Sequence, residues 1–500
     1  MTLAIILVIL NILLLGYFLY FAFYNYLYTI ASFFYKPPKR VEKLSGKRVA
    51  IVKVSFNEKT VLRKTLENCE KITYPNKMII AADDSNDGET YPDIVEWVKE
   101  HNGKELSERQ AKKYHPDCNI WSSPKKDFMI IHRNTNEGYK AGNMRLIQKY
   151  LRANGVQYMY LLDADWTPDP DVIDEALAVL EADESLAFVQ TRREHYNRLQ
   201  GVFQHATSLS EEAGFEVEYP GRQVLGDPIL FTGCCTLFRV EAIEDVGGFR
   251  AGHLTEDIDL TNRFYLRGWT AAYLPYVSNQ GEVAPSYRSL IKQQDRWAMG
   301  TARTLKEFYR KVLKSVHLNW RQRISLLRQN MYYSTAIAIE MSLFSAIISV
   351  SWIAFFPESY GANLYLLYMG QIGTIYTLLI FIALMSNFVP VLLAVIKRGH
   401  FKEIPYILFT SWLFWSLLHT YFWANIKAFF NFKTTWFKTP KTDGKKIVDT
   451  TAFSKRRLVL NGFTLALFIG IYITEFYIYG GVSPYAYFWI PAMTVGMFVA

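Results

Sequence analysis

The chain has 500 residues, of which 50% are hydrophobic and 16% aromatic, and its formal net charge is +9. This composition is rich in apolar and aromatic residues for a soluble protein and suits a molecule that is partly globular and partly embedded in a membrane. The charge indicates an anionic membrane surface rather than nucleic acid, because much of the lysine and arginine flanks apolar segments and lacks the spacing of a nucleic-acid-binding module.

An apolar N-terminal segment, residues 3–34, carries no charge and is long enough to span a bilayer. Basic residues follow it, beginning with Lys36 and Lys39, whereas a cleaved signal peptide carries its charge first. We therefore expect residues 1–35 to be an uncleaved transmembrane anchor, with the N-terminus outside and the next domain in the cytoplasm.

Residues 36–286 alternate predicted strands and helices, which is typical of an α/β domain with a mostly parallel sheet. The predicted strands are Arg48–Ser55, Lys77–Asp83, Phe128–His132, Tyr158–Asp163, Leu186–Gln190 and Leu230–Phe238. The predicted helices include Thr60–Cys69, Gly138–Ala153 and Pro170–Glu181. Cys69, Cys118, Cys234 and Cys235 form neither a disulfide framework nor a CxxC pair, so we expect reduced thiols facing the cytosol.

The C-terminal part becomes apolar again. Residues 287–330 are predicted to form amphipathic interface helices, and residues 331–500 a set of transmembrane helices. Its apolar segments are 331–356, 364–396 (interrupted by Pro390), 404–430, 458–479 and 484–499. The basic stretches 397–403 and 433–457 should both be cytoplasmic, so 404–430 is predicted to lie in the interface or to re-enter. That gives five spans, and a single crossing by 404–430 would give six.

Two carboxylates, Asp163 and Asp165, end an apolar strand that begins at Tyr158. Side chains at i and i+2 leave a strand on the same side, so both acids can face one site. Magnesium on nucleotides is commonly held by one or two carboxylates, with phosphate oxygens in the remaining positions. Taken alone, a D-x-D pattern is more often a polar loop.

Two further motifs follow predicted strands. Asp84, in ADDSNDG, can accept hydrogen bonds from a nucleobase or ribose, although the same residues form an ordinary capped turn. Lys140, in GYKAGN, opens a helix whose N-terminus favours a diphosphate, although an exposed lysine in a strand-to-helix loop is an equal alternative.

The remaining motifs lie nearer the predicted interface helices. Asp257, in HLTED, is either a helix cap or a general base that takes a proton from an attacking hydroxyl. Gln293, Arg296 and Trp297 share one face of a helix, where they can bind hydroxyls, clamp a phosphate and stack on a sugar. An interfacial helix with an aromatic anchor is the alternative.

In chain order, DDS, GYKAGN, DAD, GCC, TED and QQDRW resemble the family 2 glycosyltransferases with a GT-A fold. The resemblance is to the processive membrane synthases, which make cellulose, chitin, hyaluronan and mannan. It covers residues 48–300, with QxxRW after TED as its most specific part, and WFKTPK at 436–441 looks like their TPK-containing gating loop. Taken together, these motifs are most similar to those of the plant cellulose-synthase-like mannan and glucan synthases and their prokaryotic relatives.

The resemblance implies a role for each matching residue. Glu58 and Asp84 would contact the nucleoside, Lys140 and Arg296 the diphosphate, Asp163 the nucleotide and metal, Asp165 a Mg²⁺ or Mn²⁺ ion, and Asp257 would be the base. Gln293, Trp297, Glu256 and Cys234 would hold the acceptor. The mannan synthases tend to have a small or polar residue where Cys234 stands, so the acceptor is the part of the pattern that departs.

The implied activity is inverting, metal-dependent and processive. It transfers hexose from UDP-glucose or GDP-mannose to a β-linked polysaccharide, which the same chain exports. The expected protein is an integral membrane protein of the cell membrane with a cytoplasmic catalytic domain. Its partners would be the nucleotide sugar, the polysaccharide and the bilayer, without nucleic acid. Two alternatives remain: single-sugar transfer to a glycolipid or polyprenyl phosphate, and a transporter or channel whose cytosolic domain only binds nucleotide.

Overall fold

A ten-stranded mixed sheet forms the centre of the molecule in the computed structural model, which describes residues 2–356, 359–433 and 437–445. The strands are β1 Val49–Ser55, β2 Lys77–Asp83, β3 Lys104–Glu105, β4 Cys118–Ser122, β5 Phe128–Arg133, β6 Tyr158–Asp163, β7 Thr167–Pro168, β8 Leu186–His195, β9 Thr236–Arg239 and β10 Thr270–Gly281. Their order across the sheet is β3-β4-β5-β2-β1-β6-β9-β8-β10-β7. The four adjacent strands β5, β2, β1 and β6 run parallel to one another, and β10 runs parallel to β8.

Helices cover both faces of the sheet and continue beyond it. They are α1 Thr2–Ala31, α2 Lys59–Glu70, α3 Thr90–Glu100, α4 Glu108–Lys112, α5 Tyr139–Ala153, α6 Val172–Ala182, α7 Val202–Ala213, α8 Tyr219–Leu225, α9 Val240–Asp245, α10 Glu256–Arg267, α11 Tyr287–Leu313, α12 Trp320–Asn330, α13 Thr335–Phe355, α14 Tyr360–Lys397 and α15 Ile407–Phe429. Alternate residues of the central strands enter two apolar clusters, one with α5 and the other with α2, α3 and α6. Burial on both faces explains why these strands are continuous apolar runs.

The predicted α/β domain is confirmed, and so are its three named helices, to within two residues at each end. The predicted strand Leu230–Phe238 is wrong over most of its length, because only Thr236–Arg239 is a strand. Gly233 and Cys235 have φ angles of +88° and +57°, which interrupt an extended backbone. The prediction of a mostly parallel sheet omitted the strands β3, β4 and β7, which pair antiparallel, and β9 is antiparallel to both of its neighbours.

The helices that were predicted beyond residue 287 are present wherever the structure describes that region. Residues 287–330 contain α11 and α12, and α13 and α14 correspond to the first two apolar segments. Pro390 does not interrupt α14, and residues 404–430 contain one long helix, α15. The segments 458–479 and 484–499, and most of 433–457, lie outside the described residues. Two stretches, Thr2–Phe34 and Leu378–Lys397, are long and apolar enough to cross a membrane, judged by length and composition alone.

The N-terminal helix α1 is anchored to the rest of the chain. It packs along α14 and α8. A side-chain carbon at Gly221 would lie 2.4 Å from the backbone oxygen of Tyr28, so the contact with α8 requires glycine there. The Tyr28 hydroxyl is 2.7 Å from the hydroxyl of Ser325 in α12 and donates to Asp227 at 3.1 Å. Helix α1 is therefore fixed to α8 and α12.

Candidate active site

Acidic residues collect where the central parallel strands end. Asp83 and Asp163 are the last residues of β2 and β6, and both lie in register with the end of β1. Glu58 follows β1, and Asp84 follows β2. Parallel strands present their carboxyl ends at one edge, so the structure brings these sequence-predicted residues together.

Asp84 is buried and already has partners within the protein. Arg133, the last residue of β5, donates from Nε to Oδ1 at 2.8 Å and from Nη2 to Oδ2. Asn143 donates to Oδ1 at 2.9 Å. Burial raises the pKa of Asp84 to about 6, although the Arg133 guanidinium favours the ionised form. Asp84 thus fixes the loop after β2, and its contact with a nucleoside stays a prediction.

Lys140, in the first turn of α5, links the D-x-D turn to the start of α10. Its ammonium donates to Asp163 Oδ1 at 2.5 Å and to the carbonyl of Gly233 at 2.7 Å, and it lies 3.6 Å from Glu256. Burial acts to lower the pKa of Lys140, but the two carboxylates outweigh it and raise this pKa. Burial likewise acts to raise the pKa of Asp163, and the nearby ammonium holds it below its usual value.

Asp165 has the properties of a metal ligand. It is 1% exposed, and its Oδ2 accepts from the Glu282 backbone N–H at 3.0 Å and from the Lys441 ammonium at 2.7 Å. Within the described part of the chain, nothing donates to its other oxygen, Oδ1, although that atom is buried. A buried carboxylate oxygen without a partner is costly unless a cation or ligand completes it, so Asp165 fits a divalent ion.

A short C-terminal stretch, the 437–445 segment, lies directly over these acids. Lys438 donates to two backbone carbonyls in the loop after β1, at 2.8 and 2.6 Å. Thr439 accepts from Gln293 at 3.1 Å. Glu282 accepts two backbone N–H groups of the segment, at 2.9 and 2.6 Å. Apart from Trp436, which lies outside the described residues, the predicted gating loop is therefore held at the site.

Glu58 is the remaining acid at this edge. Burial raises its pKa to about 7, while the ammonium groups of Lys441 and Lys438 favour its ionised form. The carboxylate therefore lies within the electrostatic reach of the 437–445 segment. Its predicted contact with the nucleoside stays a prediction.

Asp257, in the first turn of α10, faces a cavity of about 500 Å³. Its Oδ1 accepts from the backbone N–H of Ile258 at 2.8 Å. A side-chain carbon at Gly233 would lie 3.4 Å from Oδ2, so the loop before β9 passes close to that oxygen. Burial, reinforced by the neighbouring Glu256, raises the pKa of Asp257 to about 6. A carboxylate tuned in this way is ionised near neutral pH and basic enough to accept a proton.

The residues predicted to bind the acceptor and the diphosphate differ in their surroundings. Trp297 lines the same cavity as Asp257. Arg296 donates to the carbonyl of Leu254 at 3.0 Å, just before the TED motif. Cys234 is different: it is 1% exposed and belongs to an apolar cluster of the sheet, while Thr232 from the same loop lines the cavity. Its predicted contact with the acceptor therefore has no geometric support here.

Sequence reasoning missed several residues that the structure places at the site: Lys53, Arg133, Arg193, Glu282 and Lys441. Lys441 stands in the predicted gating loop, WFKTPK, but had no role assigned. Lys53 gave a usable signal, because a lysine interrupts an otherwise apolar strand. Arg133 and Arg193 stand near strand ends, where basic residues are common.

Comparisons with known proteins agree with the motifs. The profile described as "Glycosyl transferase family group 2" matches residues 158–500, and that of "Glycosyl transferase family 2" matches residues 50–247. Glucomannan 4-beta-mannosyltransferase 7 of Arabidopsis thaliana is 28% identical over 274 residues, which are 53% of this chain and 45% of that protein. Probable glucomannan 4-beta-mannosyltransferase 2 of Oryza sativa subsp. japonica is 26% identical over 305 residues, 61% and 49% of the two chains. The chain thus spans about half the length of the curated relatives it matches.

A solved structure has a similar fold over most of this chain. It is a mannosyltransferase from Pyrobaculum calidifontis, in complex with GDP-Man and Mn²⁺. The TM-score is 0.52 at 15% sequence identity, with 86% of this chain and 100% of that chain covered. At this identity the likeness concerns the fold alone, and it confirms the predicted GT-A type of α/β domain.

Proposed function

The chain belongs to glycosyl transferase family group 2, and from this membership we propose that it transfers hexose from a nucleotide sugar to a growing β-linked polysaccharide. GDP-mannose and UDP-glucose are the two donors we propose. The mannosyltransferases among its relatives favour GDP-mannose. Transfer is processive and inverting, and the product leaves through the membrane part of the same chain.

The donor lies at the carboxyl edge of the sheet. Asp165, with Asp163 beside it, would hold Mg²⁺ or Mn²⁺, and the unpartnered buried oxygen of Asp165 supports this assignment. A bound divalent ion supplies positive charge where the departing diphosphate becomes more negative. Lys140 and Arg296 add fixed positive charge on the same side, and Glu58 and Asp84 position the nucleoside.

Asp257 removes the proton from the acceptor hydroxyl. The hydroxyl oxygen attacks the anomeric carbon, the bond to the diphosphate breaks with both electrons on the leaving oxygen, and the proton stays on the Asp257 carboxylate. One displacement inverts the anomeric centre. The observation that carries the proposal is the placement of Asp257, since an acid with its pKa raised to about 6 lines the cavity that Trp297 also lines.

The cavity continues from Asp257 and Trp297 to the helices α1, α14 and α15. Its polar lining includes Asn25, Gln329, Asn330, Ser386, Asn387 and Thr410, which can bind the hydroxyl groups of a chain. This supports an extended carbohydrate acceptor. Apolar residues from the same helices, including Phe21, Leu384 and Phe388, also line it and support the second candidate, single transfer to a lipid acceptor.

We place the chain in the cell membrane with its catalytic domain in the cytoplasm. The supporting features are the two long apolar helices and the exposed apolar side chains of α1, among them Ile5, Ile9 and Leu13. Apolar side chains in such a row are costly in water and suit contact with lipid.

A donor screen on the detergent-purified full chain tests the proposal. Radiolabelled GDP- and UDP-sugars are supplied with Mn²⁺ or Mg²⁺, and products are sorted by size and by solubility in organic solvent. Label in a large polymer that stays out of the organic phase supports the synthase and identifies its sugar. Label in a single organic-soluble species favours lipid transfer. Binding of nucleotide sugar without any transfer would leave the transporter alternative.

The transfer rate should fall in acid. Since the pKa of Asp257 is raised to about 6, its carboxylate is ionised above that pH and protonated below it, where it cannot accept a proton. We expect the acidic limb of a kcat/KM profile to have an apparent pKa near 6. A rate that stays constant down to pH 5, measured while the protein remains folded, would contradict the role of Asp257.

Lys441→Met should strengthen Mn²⁺ binding. The Lys441 ammonium is paired with Oδ2 of Asp165, so a cation bound by this carboxylate lies close to a like charge. Removing a charge-assisted hydrogen bond of this kind should lower the Kd for Mn²⁺ by about tenfold. Isothermal titration checks this, with Lys445→Met as a matched control because Lys445 is exposed in the same segment. Weaker Mn²⁺ binding by Lys441→Met would contradict this and indicate that the ion pair with Lys441 keeps Asp165 in position.

A further inference from the structure

A lysine lies beneath the D-x-D turn and has no place in the reaction described above. Lys53, in the middle of β1, is 0% exposed. Its ammonium donates to three backbone carbonyls, at 3.2 Å to Asp163, 3.3 Å to Ala164 and 2.5 Å to Trp166. All three belong to the turn that carries the two proposed metal carboxylates.

The number of acceptors indicates the charge of this group. A lysine ammonium has three N–H donors and no acceptor, so three carbonyls use all of its hydrogen-bonding capacity. A buried charge is costly unless it is paired and hydrogen-bonded. Burial lowers the pKa of Lys53, whereas Asp165 and Asp163 favour its charged form, and the three carbonyl oxygens supply its hydrogen bonds.

The contact also determines the geometry of the turn. Carbonyls of residues 163, 164 and 166 must converge on one nitrogen, which fixes the backbone on both sides of Asp165. The hydroxyl of Thr65 donates to the Ala164 carbonyl at 2.5 Å from another direction. Groups that orient a metal ligand without touching the metal commonly change metal affinity when they are removed.

We propose that Lys53 is a positioning residue for the metal and nucleotide diphosphate, which acts by holding the 163–166 turn through its three carbonyls. The inference rests on the proposed function for the assignment of a divalent ion to Asp165. It adds that the metal affinity of this site depends on a buried side chain of the sheet, which contacts neither the metal nor the sugar.

The test measures Mn²⁺ binding on the detergent-purified full chain, by the electron paramagnetic resonance of free Mn²⁺, with and without GDP or UDP. Lys53→Met should weaken Mn²⁺ affinity by about 10- to 100-fold. Lys53→Gln keeps two N–H donors without the charge, so it should be intermediate, and it also serves if the Met variant does not fold. Tyr160→Phe is the matched control, because it removes buried hydrogen bonds to Thr191 and Asn279 from the neighbouring strand β6 without touching the turn.

The outcomes separate the two proposals. Weakened Mn²⁺ binding in both Lys53 variants, with wild-type affinity in Tyr160→Phe, supports the positioning role. Wild-type affinity in a folded Lys53→Met protein overturns it, as does an equal loss of affinity in Tyr160→Phe, which would indicate general loosening of the sheet. Wild-type protein that binds Mn²⁺ and nucleotide but transfers no sugar overturns the proposed function and leaves the inference standing.

Discussion

Asp257→Asn should slow sugar transfer by orders of magnitude while leaving nucleotide binding intact. The asparagine side chain has nearly the same shape but cannot accept a proton from the acceptor hydroxyl. General-base catalysis contributes roughly 10²–10⁴-fold to rate, and we expect a fall in kcat of that order. The site keeps its donor side, because Asp165, Lys140 and the 437–445 segment do not depend on Asp257 for their contacts.

Two measurements are needed to distinguish loss of the base from loss of donor binding. Radiolabel incorporation reports transfer, and equilibrium binding of GDP or UDP with Mn²⁺ reports the donor site. Asp245→Asn is a suitable control. It changes an exposed acid that pairs with Arg267, at the opposite end of α10 from Asp257, and should leave both readouts unchanged. Transfer that persists undiminished in Asp257→Asn would require another base, and loss of nucleotide binding would show that Asp257 belongs to the donor site.

The central strands were predictable from sequence because burial on both faces requires continuous apolar runs. β1, β2 and β6 end within one residue of their predicted positions, and so the acids that follow them were predictable as neighbours. β10 was not, because Thr270–Gly281 mixes polar and apolar residues and shifts its register against β8. An irregular strand of this kind has no period for a sequence pattern to reveal.

The partners within the site were much less predictable. Lys441 reaches Asp165 across 276 residues of chain, and no local pattern encodes a contact at that separation. Cys234 shows a related limit: its motif position predicted contact with the acceptor, and the structure places it, between the positive-φ residues Gly233 and Cys235, in an apolar cluster of the sheet. Its contact with the acceptor stays a prediction. Motifs therefore predicted which acids meet, and the tertiary structure determines which cations neutralise them.

Asp165→Asn should reduce sugar transfer about as much as Asp257→Asn does, but through loss of the metal and not of the base. An amide in place of the carboxylate removes the charge that attracts a divalent ion, and it leaves the buried Lys441 ammonium without its ion-pair partner. The loss of metal-dependent stabilisation of the leaving group should cost about 3 kcal/mol or more, which lowers kcat/KM by at least roughly 100-fold.

The metal dependence distinguishes this loss from a general disturbance of the loop. In Asp165→Asn, raising the Mn²⁺ concentration should not restore the rate, and Mn²⁺ binding measured without any sugar should be weakened in parallel. Asp171→Asn is the matched control: it makes the same chemical change at an exposed position six residues along the chain, before α6, and should keep wild-type affinity. Full activity of Asp165→Asn at ordinary Mn²⁺ concentration would remove Asp165 from the metal site. The unpartnered oxygen would then belong to a contact with the nucleotide itself, because a buried carboxylate oxygen needs some donor to complete it.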